Sequence, residues 1–426
     1  MGTPRRTLAD WLTLQQTVHS QTIDMGLERV CAVALRLALL PLPCRVITIA
    51  GTNGKGSTVA FTAAILREQG RSVGAFTSPH LLRYNERIQI GADFVTDDEL
   101  IAAFEQIEAA RATTTLTFFE YNALAALILF RQRQVEVAVL EVGLGGRLDA
   151  VNLVDADVAV ICSIGFDHRD WLGDTLESIG REKAGVLRSG RPAVLADPQM
   201  VPVVAAEARR IGAKVFKAQR DYRYQLLSGP QPGGRWKFAM SGCKLDDLPP
   251  PSLPGELQYA NAAAAIAALV LLKLPEGLLP DAVRRGLAGV QLPGRFQVVP
   301  GAVEWILDVA HNEPAAQALA ANLASRPVAG RTFIVAGILG DKDIDAIARR
   351  LQPVVNEWIL CGIDDPRGLA PAELARRSAV FATARLATDV AAGIRLAREL
   401  SQPGDRVVVC GSFLTVAPAL EMLGLY

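Results

Sequence analysis

Residues 46–61 read VITIAGTNGKGSTVAF, and the fold turns on what surrounds the single lysine in this stretch. The β-branched run ending at Ala50 predicts a strand, Gly51, Gly54 and Gly56 predict a tight loop, and the residues from Ser57 onward resume at helical spacing. A strand, a glycine loop and a helix in that order can grip phosphate, because successive backbone N–H groups and a helix N-terminus concentrate positive potential. The spacing departs from the common pattern G-x-x-x-x-G-K-[ST]. Ile49 occupies the first glycine position, and Gly56 separates Lys55 from Ser57. A tight turn whose glycines merely permit close packing is the competing reading, and the loop alone names no reaction.

Downstream, STVAFTAAILREQG places Val59, Ala63 and Leu66 at helical spacing and ends at Gly70, a suitable C-cap. TDDELIAAFEQIEAARA opens with a capping box, Thr96 and Glu99, and puts Leu100, Ile101, Phe104 and Ile107 on one face. VEVAVLEVGLGG and DADVAVICSIGFDH are near-continuous apolar runs, as strands buried on both faces should be, and they lead to Glu141 and His168. Ligands of open parallel sheets bind at the carboxyl ends of strands. Glu141, His168 and the glycine loop are therefore expected at one edge.

Residues 220–255 become aromatic and rich in Pro and Gly, which predicts a small antiparallel excursion. The Ala-rich helix NAAAAIAALVLLKL follows, and a second α/β pattern begins after LPGRFQ with VEWILDVAHN, RTFIVAGILGDKD, NEWILCGID and DRVVVCGSF. The expected architecture is α/β throughout. A P-loop-type mononucleotide-binding domain with a mostly parallel sheet spans 1–290, a hinge around Pro293 and Gly294 spans 291–297, and a smaller Rossmann-like α/β domain spans 298–426.

The 426 residues exceed one ordinary core. The 44 basic and 44 acidic side chains cancel, so no global field recruits nucleic acid or an anionic membrane. Six singly scattered cysteines fit reduced thiols in the cytoplasm. Neither a cleavable leader nor an apolar run of the ~20 residues needed to span a bilayer is evident. Glu141 is a hard oxygen donor suited to Mg²⁺, or else an N-cap or ion-pair residue. Three of the four histidines, His80, His168 and His311, lie in polar turns after expected strands. Lys183 reads as an ordinary solvated helix lysine.

Taken in order, GTNGKGS, TSPHLLRYNERI, LEVGLGGRLDAVN, FDHRDWLG, REKAGVLR, LPGRFQ, DVAHN and GILGDKD resemble the folylpolyglutamate synthase family of the Mur-ligase superfamily. TIDMGLERV, TFFEY and RLDA look like its bacterial bifunctional members, which also make dihydrofolate. The resemblance implies ATP as co-substrate, one or two Mg²⁺ ions, and amide formation between L-glutamate and dihydropteroate or a reduced folate through an acyl phosphate. It implies Gly54, Lys55, Gly56, Ser57, Asn261, Arg295 and Asp308 at ATP, the last two making a clamp between domains. It also implies Ser78, Glu141 and His168 at Mg²⁺, a carbamylated Lys183, and His311 near the reaction. Dihydropteroate falls to Asp24, Met25 and Gly26, to Thr117, Phe118, Phe119 and Glu120, and to Leu148, Asp149 and Ala150; Phe118 and Phe119 fit a core equally well. One departure stands out: DVAHNEP has Val309 where many relatives have glycine. A monomer is implied. A monofunctional folylpolyglutamate synthase, another Mur-type ligase and a non-catalytic ATP-binding protein are the alternatives.

Overall fold

β1 (Arg45–Ala50) is buried from Val46 onward and lies inside an eight-stranded sheet. The structure is a computed structural model that describes residues 6–198, 201–227 and 234–425. The remaining positions, including 228–233 of the expected antiparallel excursion, lie outside the described residues. The sheet continues with β2 (Val73–Phe76), β3 (Ile88–Ile90), β4 (Asp93–Phe94), β5 (Val137–Glu141), β6 (Val158–Ile161), β7 (Pro192–Leu195) and β8 (Lys214–Lys217). Their order is β4-β3-β2-β5-β1-β6-β7-β8, parallel except at β3 and β4. After β1 the chain builds toward β2, and after β5 it returns across β1 to β6. The topological switch, where such sheets bind ligands, thus falls at β1.

The helix Lys55–Glu68 starts directly after the glycine loop, and Gly70 follows its end with φ +79°. Helix Pro280–Gly289 lies close against it: a Cβ on Gly286 would come within 2.8 Å of the Ile65 backbone nitrogen. The helix Asp97–Arg111 has the expected capping box, with Thr96 N donating to Glu99 Oε2 at 2.8 Å. Leu100, Ile101, Phe104 and Ile107 are all buried. The Ala-rich helix Leu257–Leu272 is buried from Ala262 to Leu269, where methyl side chains let neighbouring backbone approach.

The expected excursion is a three-stranded antiparallel sheet of β9 (Tyr222–Leu226), β10 (Trp236–Met240) and β11 (Cys243–Leu248). Trp236 is fully buried there and donates to the Pro249 carbonyl at 2.6 Å.

The chain divides into two compact units. One takes in the residues up to Ile164, Asp170–Pro251 and Tyr259–Val290; the other takes in Gly165–Arg169, Ser252–Gln258 and the chain from Gln291. The second unit holds a six-stranded sheet of β12 (Gln297–Val299), β13 (Glu304–Asp308), β14 (Thr332–Ala336), β15 (Glu357–Cys361), β16 (Arg385–Ala387) and β17 (Arg406–Cys410). Its order is β12-β13-β17-β14-β15-β16, parallel apart from β12. The last strand therefore inserts between β13 and β14.

Candidate active site

The glycine loop is a built structure. Thr52 N donates to Ser163 O at 2.9 Å, Asn53 N to Ser163 Oγ at 2.9 Å, and Ser163 Oγ returns a bond to Asn53 O at 3.0 Å. Gly54 caps the helix at φ +88°, and a Cβ there would also lie 2.5 Å from Asn261 Oδ1. Position 54 thus needs glycine for two independent reasons, backbone conformation and the buried Asn261 beside it. The Lys55 ammonium arches back over the loop to Gly51 O at 3.0 Å and Thr52 O at 3.2 Å. Ser57 is buried in the first helical turn, and Thr58 Oγ1 donates to Gly54 O at 2.9 Å.

Glu141 ends β5 directly beside β1, in register with Ile49, and is only 3% exposed. Ser78, just past β2 on the other side of β5, donates its backbone N–H to Glu141 Oε2 at 3.4 Å. Three of the expected groups therefore meet at the ends of adjacent strands. His168 does not stand at a strand end as the apolar run suggested: β6 stops at Ile161, and His168, at φ +51°, belongs to the Gly165–Arg169 segment of the second unit. Among the described residues no group of three or more His, Cys, Asp or Glu could cage a metal ion. Glu141 and Ser78 nevertheless suit Mg²⁺, which is ordinarily held by one or two carboxylates and completed by phosphate oxygens and water.

Lys183 corrects its solvated reading. It lies in helix Leu176–Ala184 and is 5% exposed. A Cβ on Gly146 would lie 3.1 Å from Lys183 Cα, so the GLGG turn after β5 exists partly to admit this helix. Cys162 samples the field of the whole cluster. Burial pushes its thiol up to about 11, Lys55 and Lys183 pull it down, and Glu141 pushes it up.

The same turn receives two of the residues expected at the pterin, Phe119 and Met25. A Cβ on Gly143 would lie 2.5 Å from the Phe119 ring, and one on Gly145 would lie 3.1 Å from Met25 Cε. Beside Met25, Gly26 leaves space against Glu28 Oε2, which would be 2.9 Å from a Cβ. Thr117 caps the helix Phe118–Gln132 in a box with Glu120, whose Oε2 accepts from Thr117 N at 2.7 Å. Glu120 is 3% exposed. Arg29, which the sequence reading passed over, bonds Asp24 Oδ2 at 2.6 Å and reaches Glu120 Oε1 at 3.3 Å. His19 Nε2 lies 3.0 Å from the same Asp24 oxygen. Asp149 differs from the others. Leu144 N donates to its Oδ2 at 2.8 Å and Val151 N to its Oδ1 at 3.0 Å, while burial raises its pKa to about 6. Its carboxylate therefore shapes its own loop, and Leu148 and Ala150 follow from that shape.

In the second unit Asp308 ends β13, and its oxygens accept from Phe296 N at 2.9 Å and Ala310 N at 2.8 Å. Burial raises its pKa, while Arg295 opposes the shift. His311 Nδ1 lies 2.8 Å from Val309 O, and Arg295 stacks 5.1 Å from the Phe413 ring centroid. Val309 itself is buried at 2% exposure.

The organising carboxylate of this unit is Asp167, overlooked beside His168. It meets Lys342 Nζ at 2.7 Å and Asn312 Nδ2 at 3.0 Å, with His311 Nε2 at 3.5 Å. Burial alone would raise its pKa, but the His311 hydrogen bond and the charges of His168, Lys342 and His311 hold it far below the carboxylate range. The folded pKa lies below the unfolded value of about 3.9, so this stabilisation is complete above that pH and is lost on acidification. Lys342→Met is therefore expected to unfold about 3–5 kcal/mol more easily at pH 7. The deficit should shrink as pH falls from 7 into the acid range, because the Asp167 carboxyl of the folded variant, no longer held down by Lys342, takes up a proton before the wild-type one does. Urea melts of the two proteins across that range would show this, and a pH-independent difference would contradict it.

Two domain families match the chain. The Mur ligase middle domain covers residues 49–269, and the Mur ligase glutamate ligase domain covers residues 294–413. Fold and site together thus define a ligase of the Mur type. The chain is 42% identical to the dihydrofolate synthase/folylpolyglutamate synthase of Escherichia coli K12, over 98% of this chain and 95% of that one. The solved structure of E. coli FolC with DHPP and ADP is similar at TM-score 0.93 and 42% identity, covering 99% of both chains. A bifunctional folylpolyglutamate synthase/dihydrofolate synthase with Mn, AMPPNP and L-glutamate bound is similar at TM-score 0.91 and 44% identity, covering 100% of both. The chain belongs to the dihydrofolate synthase/folylpolyglutamate synthase family.

Proposed function

We infer that this protein is an ATP-dependent ligase that joins L-glutamate to dihydropteroate, making dihydrofolate, and to reduced folates, extending their glutamate chains. The observation that carries this reading is the pairing of the Lys55 loop with buried Glu141 at the ends of adjacent strands β1 and β5. A carboxylate is a poor acyl donor because oxide is a poor leaving group. Phosphorylation remedies this. The pteroyl carboxylate attacks the γ-phosphorus of ATP, ADP departs with the bridging oxygen, and an acyl phosphate forms. The free amine of glutamate then adds to the carbonyl carbon, and the tetrahedral intermediate collapses with loss of phosphate and a proton.

This chain's part is positioning and charge. The loop amides and Lys55 hold the terminal phosphates, with Gly54, Gly56 and Ser57 shaping the cradle and Asn261 bracing it. Glu141 and Ser78, with His168 assigned by resemblance, would hold Mg²⁺, which offsets the repulsion between two anions. Arg295 and Asp308 are assigned to nucleotide and His311 to the reaction. Asp24, Met25, Gly26, Thr117, Phe118, Phe119, Glu120 and the 148–150 turn are assigned to dihydropteroate. We place the domain hinge at residues 291–297 and take the working form to be a cytoplasmic monomer, which sedimentation analysis would test. No helix among the described residues is long and apolar enough to cross a membrane.

The test is mass spectrometry of reactions with ATP, Mg²⁺, L-glutamate and either dihydropteroate or tetrahydrofolate. Glutamylated product should form in both. Product from tetrahydrofolate alone would reduce the enzyme to a folylpolyglutamate synthase, and silence with both would overturn the ligase reading.

Lys183 is proposed to carry a carbamate: its neutral amine adds to CO₂ and loses a proton, leaving an anion where a buried ammonium would repel Mg²⁺. Lys183→Ala should cut kcat by about 10–100-fold, the usual cost of losing a group that supports a metal ligand. With ¹³C-bicarbonate, the wild type should show a carbamate carbon resonance that the variant lacks. Identical spectra would remove the carbamate from the reading.

A further inference from the structure

Arg87 is a buried cation to which neither the phosphate loop nor the metal residues assign a task. It ends the short turn Tyr84–Arg87 ahead of β3 and is 7% exposed. Its guanidinium is held from several sides. Nε donates to His80 Nδ1 at 2.8 Å, and the group lies 5.7 Å from the Tyr84 ring centroid and 5.4 Å from that of Phe118. Neither terminal nitrogen has a hydrogen-bond acceptor among the described residues. Burial lowers its pKa, while Tyr84, Glu141 and Glu86 favour the charged form, and an arginine so placed stays cationic.

A fixed guanidinium with its terminal fork unspent matches a carboxylate or a phosphate. Its neighbours choose between them. Phe118, against which it stacks, opens the helix whose first turn is assigned to the pterin, and Glu141, whose charge it feels, is assigned to the metal at the terminal phosphates. A substrate reaching from one to the other carries its acyl group past Arg87. The phosphates already have the loop amides and Lys55.

We propose that Arg87 binds the carboxylate of the pteroyl substrate, the group that is phosphorylated, and presents it to the γ-phosphorus. The inference rests on the ligase reading. The step balances without a proton: a carboxylate oxygen forms the new bond to phosphorus, the bond to the bridging oxygen breaks, and ADP leaves with its electron pair. The guanidinium remains charged throughout and lessens the repulsion between the two anions.

The test compares dihydropteroate with its decarboxylated analogue, in which aniline replaces aminobenzoate, by calorimetry on wild type, Arg87→Gln and Arg87→Lys in the presence of AMPPNP and Mg²⁺. Arg87→Gln should weaken dihydropteroate about 10–100-fold, the range for a charge-assisted pair, and leave the analogue and AMPPNP within roughly threefold of wild type. Arg87→Lys keeps the charge without the fork and should fall between. Equal weakening of acid and analogue would make Arg87 a packing residue. Weakening of AMPPNP in place of the acid would move it to the phosphates, and unchanged affinity for the acid would remove it from the site. Should Arg87→Gln fail to fold, Arg87→Lys decides by the same comparison of acid with analogue. Wild-type protein that shows these binding differences yet forms no glutamylated product would count against the ligase reading alone.

Discussion

Lys55→Met is expected to fold normally and to lose about 10²–10³ of kcat, comparable to deleting one preorganised donor from a transition-state charge site. The loop should survive because it is held by Thr52, Asn53 and Ser163 rather than by the lysine. Among the described residues the ammonium's hydrogen bonds go to carbonyls of its own loop, Gly51 and Thr52. What disappears is the full positive charge that the proposed function assigns to the phosphate taking on charge during transfer. Affinity for ADP should change less than kcat, since ADP lacks the γ-phosphate. The comparison is steady-state kinetics against ADP titration. A variant whose ADP affinity and kcat fall together by the same factor would place Lys55 on the earlier phosphates instead.

Glu141→Gln is the second large effect. The amide keeps the shape of a buried side chain but gives up the hard anionic oxygen that suits Mg²⁺. Several kcal/mol of charge stabilisation at the transferred phosphoryl depend on that ion, so a loss of about 10³-fold or more in kcat follows. Stability supplies an independent reading. Wild-type protein should gain thermal stability from AMPPNP only when Mg²⁺ is present, and the variant should respond equally with and without the ion. A full Mg²⁺-dependent shift in Glu141→Gln would show that the ion is held elsewhere.

The parts of this site that were legible in the sequence are those fixed by neighbours in the chain. The strand, loop and helix around Lys55, the Thr96–Glu99 box and the end of β5 at Glu141 all follow from local pattern. What escaped was set by residues distant in sequence. Lys183 looks solvated because helical periodicity is silent about Gly146, the residue that lets its helix approach. Arg29 gives no local sign that it will join Asp24 to Glu120. Arg87 is one arginine among many until its burial and its unspent fork are seen together. The apolar run before His168 suggested a longer strand than β6, because hydrophobicity marks burial and buried segments need not stay in the sheet. Phe119 was open between core and ligand, and its packing on Gly143 shows that an aromatic can serve the turn beneath a site while being assigned to the site itself.

Gly54 carries an evolutionary consequence. A first substitution there meets both a left-handed backbone and the Asn261 side chain. Trimming Asn261 would relieve the collision and leave the backbone strain, while relaxing the backbone would move the start of the helix at Lys55 and with it the loop proposed to cradle phosphate. No single compensating change answers both. A lineage that loses this glycine can lose it in one step, yet it can recover the original loop only by reversion, so the position behaves as a ratchet tied to nucleotide use.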